Sequence, residues 1–193
     1  MKSKARADRY DALSISMHWL MVLLIVGVYA SINLSELYPT GSEGHARLDA
    51  VHVTLGLSIF VLVFSRLGIR PPGPAPEVKP PISLTQRRLN TATQVALYVF
   101  MIVMPLLGWL VLSAAGRPIR FFEFDVPALW SQDLALADKA KGIHETIGMI
   151  GYLLIGLHAA NALFRHYVVR DNTLLRILPN RHAQADSHRD KSA

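Results

Sequence analysis

Four long apolar runs, almost free of charge, leave this chain few ways to fold. They cover Ile15 to Leu34, Ala50 to Leu67, Ala92 to Ala115 and Thr146 to Phe164, and the one Lys, Arg, Asp or Glu among them is Arg66, next to last in the second run. Each run reaches or approaches the roughly 20 helical residues that cross a hydrocarbon layer about 30 Å thick. Lipid offers no partner for a bare backbone amide, and nothing in the runs alternates like a barrel strand, so helices are the remaining form. The sequence therefore predicts an all-α integral membrane four-helix bundle. Its helices cover about 15–34, 50–67, 92–115 and 143–167 of a transmembrane domain 1–180, followed by a polar cytoplasmic tail, 181–193.

The first run follows a basic start (Lys2, Lys4, Arg6, Arg9). It is longer than the about 7–15 apolar residues of a signal peptide and carries His18, Trp19 and Tyr29, so it reads as a retained membrane helix. With four crossings, both termini and the loop between the second and third helices share one side. Of the 20 Lys and Arg, only Arg47, Arg117, Arg120, Lys139 and Lys141 fall on the other. By the positive-inside rule both termini are cytoplasmic. The net charge of +6 then reflects topology and calls for no nucleic-acid partner.

The loops differ in kind. Ser35 to Asp49 is turn-like; Pro71 to Pro81 holds six prolines and reads as an extended spacer; and Gly116 to Lys141, with Phe121, Phe122, Phe124 and Trp130 among charges, suits the outer interface and could cap the bundle. After the fourth helix, Asp171-Asn172-Thr173 resembles an N-cap leading into a short amphipathic turn.

The chain has no cysteine, which excludes disulfides, thiolate-held iron–sulfur clusters and covalent C-x-x-C-H haem attachment. Histidine is the informative residue. His18 lies near the cytoplasmic end of the first run, His52 at the outer end of the second, and His144 and His158 lie 14 residues apart on the fourth. Fourteen helical residues are nearly four turns, so these two share a face about 21 Å apart along the axis. Depth allows two level pairings, His52 with His144 and His18 with His158. Intramembrane imidazoles need partners. Two per level, without Cys and with Glu145 turned about 100° from His144, suit a macrocycle that supplies four nitrogens of its own better than zinc. The small residues Gly56, Gly148, Gly151, Ala159 and Ala160 would let a flat ring approach the helices. His45, His182 and His188 read as solvated, and His166 as an interfacial residue able to handle protons.

The stretches Ser14 to Trp19 (SISMHW), Asp49 to Gly56 (DAVHVTLG), His144 to Gly148 (HETIG), Gly156 to Ala160 (GLHAA) and Asp171 to Pro179 (DNTLLRILP) carry a resemblance. From about Tyr10 to Pro179 the chain resembles the bacterial cytochrome b561 family, small di-haem proteins of the inner membrane. The resemblance implies two haem b groups with axial ligands His18, His52, His144 and His158. It also implies one of two activities: superoxide oxidation at the periplasmic face with electrons passed to ubiquinone, or relay between the quinone pool and a partner dehydrogenase or hydrogenase subunit. The first makes the chain an enzyme, a superoxide oxidase; the second a haem-bearing electron carrier.

For a superoxide site the sequence offers Lys139 and Lys141, shortly before His144, with Arg117 and Arg120 in the adjacent loop. A local positive field would speed an anion's approach, although acids outnumber bases on this side. For the inner site Arg66, 14 residues after His52, falls on the same helix face near the inner level and could pair with propionates or a quinone carbonyl. Ser14, Trp19, Arg165 and His166 are further residues for the quinone vicinity. A metal transporter is disfavoured, because the apolar runs lack the midplane acids a cation path uses.

Overall fold

Each of the four α-helices starts on a side-chain cap that the sequence supplies. In the computed structural model, which describes residues 9–69 and 77–179, Asp11 accepts from both the backbone amide and the hydroxyl of Ser14 and opens α1, Ala12–Ser35. Ser42 opens α2, Glu43–Gly68, by accepting from the amide of His45. A reciprocal capping box between Ser83 and Gln86 opens α3, Leu84–Ala114, and Asp133 caps α4, Leu134–Phe164. Such caps satisfy amides that the first helical turn leaves without partners. They explain why α2, α3 and α4 begin well before the apolar runs they contain: polar turns outside the hydrocarbon are helical too. Lys2, Lys4 and Arg6 of the basic lead-in, Arg70, the spacer through Pro76, and the tail with His182 and His188 lie outside the described residues.

All four helices are long and apolar enough to span a membrane. Their exposed faces are apolar, with Leu23, Val61, Val99, Met149 and Leu153 all more than half exposed. That pattern suits lipid as the surrounding solvent. The buried core is narrow: Met21, Ile59, Val63 and Met101, with Leu24, Val28, Tyr98 and Phe100 packed on it.

Packing runs in sequence, α1 on α2, α2 on α3 and α3 on α4. Among the described residues, neither α1 and α4 nor α2 and α4 bring Cα atoms within 8 Å of each other. Directly packed helices have axes about 8–10 Å apart. The bundle is thus wide between α4 and the α1–α2 pair, and side chains reach across that width.

The outer loop folds into a hairpin that the sequence did not announce. Strand β1, Ile119–Phe121, pairs antiparallel with β2, Phe124–Val126, and β1 packs on the outer ends of α2 and α3 with Ile119 buried. Phe122 at the tip has φ +53, a left-handed conformation that aromatic residues rarely adopt. On the inner side, α4 ends in a π-helical turn, Arg165–Val169.

Candidate functional site

The imidazoles of His52 and His144 face each other across the wide side of the bundle, with ring centroids 6.2 Å apart and planes at 73°. Two imidazoles that bind one metal through opposed nitrogens, with bonds of about 2 Å, have centroids about 6 Å apart. The orientation of His52 is fixed from behind: its Nδ1 lies 3.1 Å from the carbonyl oxygen of Val28 on α1. A carbonyl only accepts, so Nδ1 carries the proton and Nε2 keeps the lone pair that a metal needs. Such a backbone partner is the usual outer support of a metal-binding histidine.

His144 is seated differently. Its ring rests against Gly108 of α3, where a methyl group would stand 3.3 Å from Cε1 and 3.7 Å from Nδ1. The carbonyl of Met104 acts on the ring, yet Nδ1 is buried and has no partner in hydrogen-bonding geometry. Glycine lets α3 back the imidazole this closely, and a methyl group would make the ring give by a few tenths of an ångström.

At the inner level His18 lies within electrostatic reach of His158 and of Arg66, and Arg66 acts on His158 as well. α1, α2 and α4 therefore place two imidazoles and one guanidinium within electrostatic reach of one another. Of the two level pairings read from depth, His52 and His144 stand with ring centroids 6.2 Å apart, and His18 and His158 are within electrostatic reach of each other. Among the described residues no group of three or more His, Cys, Asp or Glu could hold a bare metal ion, so each level offers two protein nitrogens.

The remaining sequence-selected residues separate. Lys141 shares the His144 side of α4 but sits 3.7 Å from Glu145, with both side chains exposed. Lys139, five residues before His144 and so about 140° away around the helix, lines a shallow depression with Asp138, Gly142 and Thr146. Arg120 stands 3.6 Å from Asp125 across the hairpin. The hydroxyl of Ser14 is engaged by Asp11 at 2.7 Å, and the indole N–H of Trp19 donates to the carbonyl of Ile177 at 2.8 Å. Both serve the fold. Arg165 is buried and donates to Asp171 at 2.7 Å. His166 stacks edge-on against Tyr167, and its Nδ1 is buried without a hydrogen-bond partner.

Asp171 organises the inner face. Burial pushes its carboxyl up, but hydrogen bonds from the Thr173 amide and from Arg165 outweigh this and hold it below the usual carboxylate range. The following turn reaches three other segments: Trp19 through Ile177, Tyr10 through Arg176, and Glu77 and Lys79 through Asn172. Where the sequence suggested a capped amphipathic turn, the structure has a clasp. Sequence reasoning also missed the Val28 carbonyl and Gly108; a backbone acceptor and a glycine inside an apolar run carry no signal of their own.

Fold and site together define a multi-pass membrane protein with a close histidine pair, His52 and His144, and a second pair within electrostatic reach, His18 and His158. A family model described as prokaryotic cytochrome b561 matches residues 9–180, and the chain belongs to that family. It is 34% identical to cytochrome b561 homolog 1 of Escherichia coli (strain K12) over 90% of this chain and 99% of that one. It is 32% identical to a probable superoxide oxidase CybB of Yersinia pestis over 90% and 97%, and 31% identical to cytochrome b561 homolog 2 of E. coli over 89% and 92%. The chain is accordingly a bacterial membrane electron-transfer protein of a family that implies haem b.

Proposed function

We propose that this protein holds two haem b groups, one between His52 and His144 and one between His18 and His158, and that it oxidises superoxide at the outer face and passes the electrons to ubiquinone at the inner. The observation that carries the reading is the 6.2 Å separation of the outer imidazoles, with His52 already held in the metal-binding tautomer. His52 with His144, and His18 with His158, would hold the two haems, and each haem would supply a one-electron couple when bound.

The protein's own residues do the rest. Val28 orients His52 and Gly108 seats His144. Arg66 is placed to offset anionic charge beside the inner pair, on a propionate or on a quinone carbonyl. His166, half-buried with a free ring nitrogen, is the inner-side group able to pass protons to a reduced quinone. At the outer face Lys141 is the basic group on the His144 side, and its pairing with Glu145 limits the field it offers an anion. Both termini are cytoplasmic in this reading, on the Lys and Arg asymmetry.

Purified protein exposed to a superoxide pulse should show reduction of b-type absorbance, followed by reoxidation when ubiquinone is added. No response to superoxide, together with reduction by quinol, would overturn the superoxide assignment. A second reading, electron relay for a partner subunit, is favoured by the hairpin and the loop after it, where Phe122, Phe124 and Trp130 are each more than half exposed. Co-purification of a redox subunit, lost on Phe122→Ser, would establish it.

A further inference from the structure

Three consecutive residues of α1 reach three different partners beside the outer histidine pair. A methyl group at Gly27 would stand 2.9 Å from Leu55, so glycine there lets α2 pack closely on α1. The carbonyl oxygen of Val28 lies 3.1 Å from Nδ1 of His52 and accepts its proton. The hydroxyl of Tyr29 donates to the carbonyl of Gly148 on α4 at 2.7 Å. Gly148 is about one helical turn beyond His144. One stretch of α1 thus carries both the support of His52 and the tie to the α4 turn next to His144.

α4 has no direct seat on that stretch. Among the described residues its Cα atoms stay more than 8 Å from those of α1 and α2, so side chains set the width between them. Tyr29 spans that width. Its hydroxyl fits a notch at Gly151, where a methyl group would overlap both the hydroxyl and the ring of Phe100. Its ring lies 4.2 Å from that of Tyr152, and Asn33 fastens the pair by donating to the Tyr29 carbonyl at 2.6 Å and to the Tyr152 hydroxyl at 2.7 Å. In hydrocarbon, small residues and polar bridges decide where helices meet, because apolar surface alone does not drive them together. A phenol bonded to an α4 carbonyl and lodged against a glycine constrains both the distance and the rotation of that helix.

We propose that Tyr29 is a positioning residue for the outer pair: it holds α4 at the width and rotation that set His144 opposite His52. The proposal deepens the haem reading, on which its consequence rests, whereas the helix spacing is measurable without haem. α3 packs on both α2 and α4, so loss of the phenol should displace His144 without unfolding the bundle.

The outer haem is identified as the low-spin EPR component lost in His52→Ala, and the inner haem as the component that remains. Tyr29→Phe removes the bond and keeps the ring. It should retain two haems, shift the outer component and weaken outer haem retention about 2- to 12-fold, the worth of one hydrogen bond. Tyr29→Ala should lose the outer component, taking haem content from two per chain toward one. Gly151→Ala displaces the hydroxyl with the tyrosine in place and should shift the same component. Tyr152→Phe leaves the bond to Gly148 intact and should leave the outer component unchanged. In all four variants the inner component should stay as in wild type. If Tyr29→Ala does not fold, Tyr29→Phe and Gly151→Ala decide. An outer component unchanged in both of these, or an inner component shifted as far as the outer, overturns the proposal. The chain has no cysteine, so spin labels at Val61→Cys and Met149→Cys, lipid-facing positions on α2 and α4, report helix spacing by pulsed EPR in nanodiscs. Tyr29→Ala, or Gly151→Ala if the first does not fold, should shift and broaden that distance, and an unchanged distribution likewise overturns the proposal. A wild-type chain that binds no haem would instead remove the haem reading and leave the label distance to judge Tyr29.

Discussion

Gly108 gives the sharpest test of how the outer site is built. An alanine there would place its methyl 3.3 Å from Cε1 of His144, a few tenths of an ångström inside ordinary van der Waals contact. The imidazole must yield by that amount in a site whose two rings stand 6.2 Å apart. Crowding of this kind costs about 1–3 kcal/mol, or about 5- to 150-fold in affinity for a group bound between the rings. Alanine lies at the low end and valine at the high end. Helix propensity acts the other way, favouring alanine over glycine by up to about 1 kcal/mol, so the helix itself should not weaken. Gly108→Ala should therefore retain two haems with a shifted outer EPR signal, and Gly108→Val should lose the outer haem in a haem titration of the purified apoprotein. Gly156→Ala is the matched control, because a methyl group there meets nothing within 4 Å. Two tightly held haems with wild-type spectra in Gly108→Val would refute the placement of His144 as a ligand.

Other outcomes follow from the same geometry. Arg66→Leu should keep both haems and shift the midpoint potential of the inner one alone, because Arg66 acts on His18 and His158 and not on the outer pair; redox titration with optical detection checks it. Lys141→Glu should slow reduction by superoxide and flatten its dependence on ionic strength, with Lys139→Glu smaller in both respects, measured by stopped flow at two salt concentrations. Asp171→Asn breaks a buried ion pair and should destabilise the inner clasp by about 3–5 kcal/mol, seen as faster proteolysis between Arg165 and Arg176. Because Asp171 has its carboxyl pKa lowered by folding, its contribution is complete at neutral pH, above the ordinary carboxylate value, and is lost as pH falls through the lowered one. Wild-type clasp protection should thus decline only in acid, and the Asn variant should lack that dependence.

Much of the bundle was legible in the sequence because membrane solvent imposes a single rule on it: long uncharged runs must be helices, and level histidines on facing helices must meet. His52 and His144 illustrate this, since residue number alone fixed their depth. What escaped the sequence depends on backbone or on turn geometry. The Val28 carbonyl that sets the His52 tautomer belongs to a residue whose side chain is unremarkable. Ser14 and Trp19 lie close to His18 in sequence, yet capping and the Ile177 carbonyl claim their polar atoms. Lys139 and Lys141 stand five and three residues before His144, and helical phase puts only Lys141 on the His144 side. The hairpin was hidden because Phe122-Glu123 is not a turn-favouring pair, and Phe122 takes a φ of +53 that aromatic residues rarely adopt.

The most direct measurement is the haem content of the purified chain, by pyridine haemochrome against protein mass, in wild type and in four single variants, His18→Ala, His52→Ala, His144→Ala and His158→Ala. Two haems per chain in wild type, with His52→Ala and His144→Ala losing one and the same spectral component and His18→Ala and His158→Ala losing the other, is the expected pattern. A single haem in wild type, or components lost in the pairing His18 with His52, would contradict it.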